Sequence, residues 1–257
     1  MPDEKTRIVL LCTDSPSSRI MYHGLSSHVD IAAVIIENPV SLMHFVRRRI
    51  KKLGLMATAG QLLFIACNKL MARFSARRIA ELISVYELND APLPENLSIR
   101  VRTVNGSETI GLLREFKPDA VVINGTRLLS KEVLDAVEAP FINTHMGMTP
   151  RYRGVHGGYW ALANKDRENC GVTVHLVDTG IDTGGVLYQD TIEIDDNDNF
   201  NTYPIHQIAK AIPLMKTALD DVRAHSIRIA PGVSPSRLWH HPTLFGYIRN
   251  RILLAVK

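Results

Sequence analysis

Short apolar runs alternate with longer amphipathic stretches along this chain. Residues 7–14, Arg-Ile-Val-Leu-Leu-Cys-Thr-Asp, are β-branched and apolar and end in polar residues, which predicts a strand buried on both faces. A helix follows, with Ser15 or Ser17 at its N-cap and Gly24 near its end. Residues 30–36 predict a second buried strand. Strand, helix and strand with short joints open a parallel α/β sheet. Residues 41–84 break that rhythm. They are helical in composition, and Met43, Phe45, Val46, Ile50 and Leu53 make an apolar stripe with charges between, so one or two amphipathic helices are expected as an insert. Beyond a loop with Pro92 and Pro94, the pattern predicts a strand at 98–104, a helix at 108–116 and a buried strand at 119–124. A helix capped at Ser130 and a strand introduced by Pro140 come next. Then come a helix at 155–163, strands at 172–177 and 186–194 joined by a Gly- and Thr-rich turn, and a long helix at 201–224. Pro204 marks the start of that helix and Pro213 a kink, and residues 238–257 end in a further helix.

Composition adds limits. A chain of 257 residues with 46% hydrophobic and 22% charged residues has material for one large α/β domain, or one domain with a small appendage. The net charge of +4 does not by itself call for nucleic acid. Its distribution is more telling. Arg47, Arg48, Arg49, Lys51, Lys52, Lys69, Arg73, Arg77 and Arg78 fall between Val40 and Ala80 with no acidic residue among them. Cys12, Cys67 and Cys170 are widely spaced, as expected of buried thiols in a reducing compartment. The charged start Met-Pro-Asp-Glu-Lys does not read as a signal peptide. The longest apolar run, residues 53–67, is interrupted by Gly54, Thr58, Gly60 and Gln61 and reads as too short to span a bilayer. A cytoplasmic protein is expected. The basic insert reads by default as a solvated helical face, with peripheral membrane contact or a dimer- or partner-binding element left open.

The candidate chemistry lies in 141–190. Asn143 and His145, two apart on a strand, share one face. Asp182 lies in the turn between the next two strands. An amide can donate to a carbonyl oxygen, an imidazole can exchange a proton near neutral pH, and a carboxylate can orient that imidazole or take a proton through water. The set suits acyl transfer through a tetrahedral intermediate, with Asn143 and protonated His145 stabilising the oxyanion by roughly 3 kcal/mol per donor. No Ser or Cys is placed as a nucleophile, so direct attack by a substrate amine is the simpler route. No metal site is expected.

Several separated segments together resemble the folate-dependent formyltransferases. They are Asn143-Thr144-His145, Pro150-Arg151-Tyr152-Arg153-Gly154, Gly171-Val172-Thr173-Val174-His175, and the turn from Asp178 to Gly184 with Asp182. The likeness covers the core from about residue 119 to 195 well, and the first strand and helix only generally. It implies a Rossmann-like, mostly parallel twisted sheet with helices on both faces, and 10-formyltetrahydrofolate as formyl donor. It implies a catalytic domain over residues 1–230 and a C-terminal extension over 231–257. By the resemblance Asn143, His145 and Asp182 are the catalytic residues. Gly125, Thr126, Arg127, Leu128 and Leu129 hold the pteridine ring through backbone groups, and Asp178, Thr179, Gly180 and Ile181 form its other wall. Met146-Gly147-Met148 departs from the family pattern, as does His156 before Gly157-Gly158. His156 is open to contact with the acceptor or to packing at a helix start, and His175 reads as a satisfied histidine near the site.

The family spans several acceptors. The turn Thr13-Asp14-Ser15-Pro16-Ser17-Ser18-Arg19 has no glycine, which disfavours the phosphate loop of glycinamide ribonucleotide transformylase, although Arg19 and the helix N-terminus could still hold an anion. The stretch after Ala224 is too short for the β-barrel of methionyl-tRNA formyltransferase, which disfavours tRNA. A small-molecule amine remains, with a nucleotide-linked amino sugar as the leading expectation. Phosphoribosylglycinamide formylation, hydrolysis of formyltetrahydrofolate and a folate-binding relative without turnover stay as alternatives.

Overall fold

The computed structural model describes residues 5–39 and 41–257, with the backbone alone for Leu42, His44 and Phe45. The charged start and the place of Phe45 in the apolar stripe therefore lie outside the described residues. In chain order the elements are β1 (Arg7–Cys12), α1 (Pro16–Ser26), β2 (Asp30–Glu37), α2 (Leu42–Leu53) and α3 (Leu55–Val85). Then come β3 (Ser98–Val101), α4 (Ser107–Phe116), β4 (Ala120–Asn124), α5 (Lys131–Leu134), β5 (Phe141–His145) and β6 (Arg153–Gly154). The chain continues through α6 (Gly157–Ala163), β7 (Gly171–Leu176), β8 (Val186–Thr191), α7 (Tyr203–Arg223), β9 (Leu238–Trp239) and α8 (Leu244–Leu254).

Seven strands form one sheet in the order β3-β2-β1-β4-β5-β7-β8. The pairings from β3 to β5 are parallel, and β5–β7 and β7–β8 are antiparallel. The sheet is thus mostly parallel, as expected, and changes sense at β5. Two apolar cores explain why β1 is apolar throughout. Ile8, Leu10 and Cys12 face the core shared with α1 and α7, whereas Val9 and Leu11 face the core shared with α4. Burying each such side chain contributes about 1.5–3 kcal/mol. Helices therefore cover both faces. Cys12 and Cys170 are buried and all three cysteines are free.

Three expectations change in detail. The strand expected at 98–104 ends at Val101, because the buried Glu37 carboxylate accepts the Val104 amide and turns the chain away. The helix at Ser130 is only four residues long. The apolar run at 53–67 is part of a much longer helix. Gly54, at φ 83°, separates α2 from α3, and α3 then continues for 31 residues, about 46 Å. By length and composition it is long and apolar enough to cross a membrane, which corrects the reading of that run as too short.

Residues after 230 lie against the segment that follows β5. Arg153 and Gly154 pair with Leu238 and Trp239. Trp160 stacks on Trp239 at 4.7 Å, and Phe64 of α3 meets Tyr247 of α8 at 5.1 Å.

Candidate active site

The carboxyl end of β5 lies where the sheet changes from parallel to antiparallel. Ile123 of β4 pairs with Asn143 on one side, and on the other the register sets Asn143 opposite His175 and His145 opposite Thr173. Opposed residues of an antiparallel pair share a face, so this register brings Asn143, His145 and His175 together. Asp182 joins them from the β7–β8 turn, at φ 49°, a left-handed conformation that Asp tolerates better than most residues.

The contacts form a connected set. His145 Nε2 is 2.7 Å from the Tyr152 carbonyl oxygen, and only an N–H can satisfy that carbonyl. The Nε2–H tautomer is thereby fixed, and Nδ1 faces Asp182 Oδ2 at 3.4 Å. His175 Nδ1 donates to the Leu176 carbonyl at 2.7 Å, so its Nε2 accepts from Asn143 Nδ2 at 3.1 Å. The Asn143 amide carries a second hydrogen beyond that bond. Asp182 Oδ2 also accepts the Gly154 amide at 2.8 Å, and Oδ1 lies 3.7 Å from His175 Nε2.

The electrostatics follow from this packing. Burial works to raise the Asp182 carboxyl, but the neighbouring imidazoles of His145 and His175 and the Gly154 amide outweigh it and hold it at about 2. Asp182 is therefore ionised at neutral pH. Burial pushes the His145 imidazole below the ordinary histidine range, against the pull of Asp182 and the Tyr152 carbonyl.

The departures from the family pattern have a local cause. A Cβ on Gly147 would lie 2.6 Å from the Tyr152 oxygen and 3.0 Å from His145 Nε2, so no larger residue fits beside the imidazole. Gly157 is excluded from growth in the same way by Gly147 and Met146. Gly154, at φ 99°, would drive a Cβ to 2.2 Å from the Trp239 oxygen. The loop is pinned by Thr173, whose hydroxyl donates to the Gly147 oxygen at 2.8 Å and accepts the Thr149 amide at 3.0 Å. Arg153 Nη1 donates to the Ile181 oxygen at 2.9 Å and ties the loop to the Asp182 turn. His156 lies with its ring 4.5 Å from Phe200 and Nε2 2.9 Å from His241 Nδ1, and burial drives its pKa to about 3.

Two loops flank the site. Gly125, Thr126, Arg127, Leu128 and Leu129 follow β4, and Asp178, Thr179, Gly180 and Ile181 precede Asp182. Much of the first loop is already engaged. Arg127 N–H donates to Glu37 Oε2 at 3.1 Å, the Leu128 oxygen accepts Asn105 Nδ2 at 2.9 Å, and the Leu129 side chain is buried in the core. In the second loop Asp178 Oδ1 turns back to accept Gly180 N–H and the Thr183 hydroxyl. At the same end of the sheet, Ser15 caps α1 by accepting Ser18 N–H. Arg19 and Arg100 both bind Asp14, at 2.8 and 3.0 Å. The sequence placed all four of these groups at or near the site, His175 as a satisfied histidine. The contact by which His175 orients Asn143 depends on the β5–β7 register, which is not visible in a single chain. Among the described residues no cluster could hold a metal ion.

The chain resembles known proteins in sequence and in fold. Residues 32–210 match the family Formyl transferase. Methionyl-tRNA formyltransferase of Kosmotoga olearia is 30% identical over 131 residues, 51% of this chain and 42% of the relative. The same enzyme from Anaeromyxobacter sp. is 41% identical over 91 residues, 35% of this chain and 29% of the relative. This chain thus spans less than half the length of these curated relatives. In fold it resembles a sugar N-formyltransferase from a Shewanella species, with a TM-score of 0.55 and 17% identity over 91% of this chain and 76% of that one. It also resembles phosphoribosylglycinamide formyltransferase from Bacillus halodurans, with a TM-score of 0.53 and 19% identity over 84% of this chain and 95% of that one. The matched stretch runs from β2 into α7 and includes Asn143, His145, His175 and Asp182, and the chain belongs to the formyl transferase family.

Proposed function

We propose that this chain transfers a formyl group from 10-formyltetrahydrofolate to the primary amine of a small cytoplasmic acceptor, a nucleotide-linked amino sugar. The observation that carries the reading is the meeting of Asn143, His145, His175 and Asp182 at the carboxyl end of β5, where open α/β sheets bind ligands.

The residues present fit the reacting end of such a donor. When bound, 10-formyltetrahydrofolate supplies a formyl group on nitrogen, open to attack by an amine. Asn143, with one amide hydrogen held by His175, offers the other to the formyl oxygen as negative charge develops there. Asp182, ionised and facing His145 Nδ1, accepts the proton that the attacking amine sheds. His145 takes that proton in turn at Nδ1, its Nε2–H remaining on the Tyr152 carbonyl, and would return it to the donor nitrogen as the bond from the formyl carbon to that nitrogen breaks, so that the donor leaves as a neutral amine. The thiols of Cys12 and Cys170 are pushed up to about 12 by burial, so neither supplies a thiolate that would divert the formyl group.

The pteridine lies between Gly125–Leu129 and Asp178–Ile181 in this reading. Arg127 N–H and the Leu128 oxygen are engaged by Glu37 and Asn105, and Gly180 N–H and the Ile181 oxygen by Asp178 and Arg153, so the ring's main-chain contacts come from the other groups of both loops. The acceptor's phosphates exchange with Asp14 on Arg19 and Arg100 at the N-terminus of α1.

The test is purified protein with 10-formyltetrahydrofolate and a panel of nucleotide-linked amino sugars, phosphoribosylglycinamide, methionyl-tRNA and no amine. Tetrahydrofolate is expected only with the amino sugars. Formate released without an amine makes the chain a hydrolase, transfer to another acceptor replaces the sugar, and neither turnover nor folate binding sinks the reading.

A further inference from the structure

Helix α3 turns polar groups inward and large apolar groups outward, unlike an ordinary helix on a water-facing surface. The side it turns inward buries Phe64 and Leu82 but is otherwise largely polar and hydrogen-bonded. Asn68 and Asn201 exchange two amide hydrogen bonds of 3.0 Å, Ser75 donates to Asn199 at 3.1 Å, and Arg78 binds both Asp195 and Asp198. The side it turns outward carries a row of large apolar side chains. Met56, Leu63, Leu70 and Phe74 follow one another at seven, seven and four residues, which is a single helical face. Met56 is 89% exposed and Phe74 90% exposed. The adjoining α8, held to α3 by Phe64 and Tyr247, exposes Phe245, Ile252 and Leu253 as well. Large apolar side chains grouped in this way mark a surface made for an apolar partner.

Charge selects the partner. On α2, Arg47, Arg48, Lys51 and Lys52 are exposed, and Lys69, Arg73 and Arg77 are exposed on α3. The chain has no acidic residue between Glu37 and Glu81. A second copy joined about a two-fold axis through this face would set these cations near their own counterparts, which opposes association. An anionic bilayer complements both features: its headgroups attract the cations and its acyl boundary accepts the apolar row. We infer that α2, α3 and α8 form a docking surface for anionic phospholipid membranes. On it α3 lies in the interface instead of crossing, because Asn68, Ser75 and Arg78 fasten its other side to residues 195–201. This surface is independent of the formyl-transfer reading, and its test does not need turnover.

Flotation of the full chain with vesicles decides the matter. Vesicles of phosphatidylcholine with about one third phosphatidylglycerol should carry the protein upward, and pure phosphatidylcholine should not. Arg47→Glu with Arg48→Glu should lower binding more than tenfold, since each basic residue near an anionic surface is worth roughly fivefold. Leu63→Ser, Leu70→Ser and Phe74→Ser combined should abolish it. Both variants should keep the melting temperature and the activity of the parent, because the altered side chains are exposed and lie outside the formyl site. The inference is overturned by absence of flotation, or by equal binding to neutral vesicles. It is also overturned if alkaline carbonate fails to release the protein from membranes, which would mean a spanning helix. A dimer in solution that the triple serine variant dissociates would assign the face to a second copy instead.

Discussion

Polar side chains turn inward in two regions of this molecule, and the two differ in what is left over. Along α3 the inward groups are matched to partners. Asn68 and Asn201 satisfy each other, and Arg78 meets three carboxylates. At the end of β5 capacity remains: the Asn143 amide has a hydrogen beyond its bond to His175, and Asp182 is held ionised beside a neutral-leaning imidazole. Matched inward polarity fastens an element and specifies its position. Unmatched polarity, kept in place by its neighbours, is a resource for chemistry. Where α3 meets solvent it carries an apolar row flanked by Lys69, Arg73 and Arg77.

Substitutions can break this contrast. Asp182→Asn, which removes the proton acceptor while keeping the shape, should lower turnover per folded molecule by about 10³. Its melting temperature should fall by several degrees, because the folded chain holds this carboxyl at about 2 and so draws stability from its charge. Parent-like turnover per folded molecule would instead make Asp182 a fastening group like those on α3. Arg78→Ala should do the reverse, leaving activity per folded molecule unchanged and costing about 3 kcal/mol in a urea melt. The cause is the Asp198 side chain, fully buried and stripped of its guanidinium. His175→Phe should lower turnover roughly tenfold with little change in KM, because Asn143 loses its orienting partner. An unchanged rate would mean that strand geometry alone orients the amide.

Acid stability gives the smallest effect. Burial lowers His156 to about 3 and, with help from Arg49, His241 to about 4. The unfolded chain therefore binds protons from about pH 6.5 downward that the folded chain refuses. Stability is greatest above pH 6.5 and falls as pH drops toward 4. His156→Asn, which tolerates the left-handed backbone at φ 59°, should flatten the fall in melting temperature over that window. An unchanged slope would show that these histidines do not control it.

The sheet was legible because β1, β2 and β4 are apolar without interruption and bounded by polar turns. Asn143 and His145 were legible as a pair because strand period places them on one face. The His175 contact was not, since it depends on which residue of β7 faces Asn143. Gly154 and Gly147 are required by Trp239, Tyr152 and Gly157, and only the folded chain brings these together. The insert was legible as helical and basic. The outward placing of its apolar row was hidden, because periodicity shows that a helix has two faces and does not say which one meets the protein.

The most direct measurement is the single-turnover rate of formyl transfer in Asn143→Ala against the parent, at saturating donor and acceptor. The expected result is a rate lowered by about 10²–10³ with donor binding and melting temperature retained. A near-parent rate would contradict the central claim that the unmatched amide at the end of β5 carries the transfer.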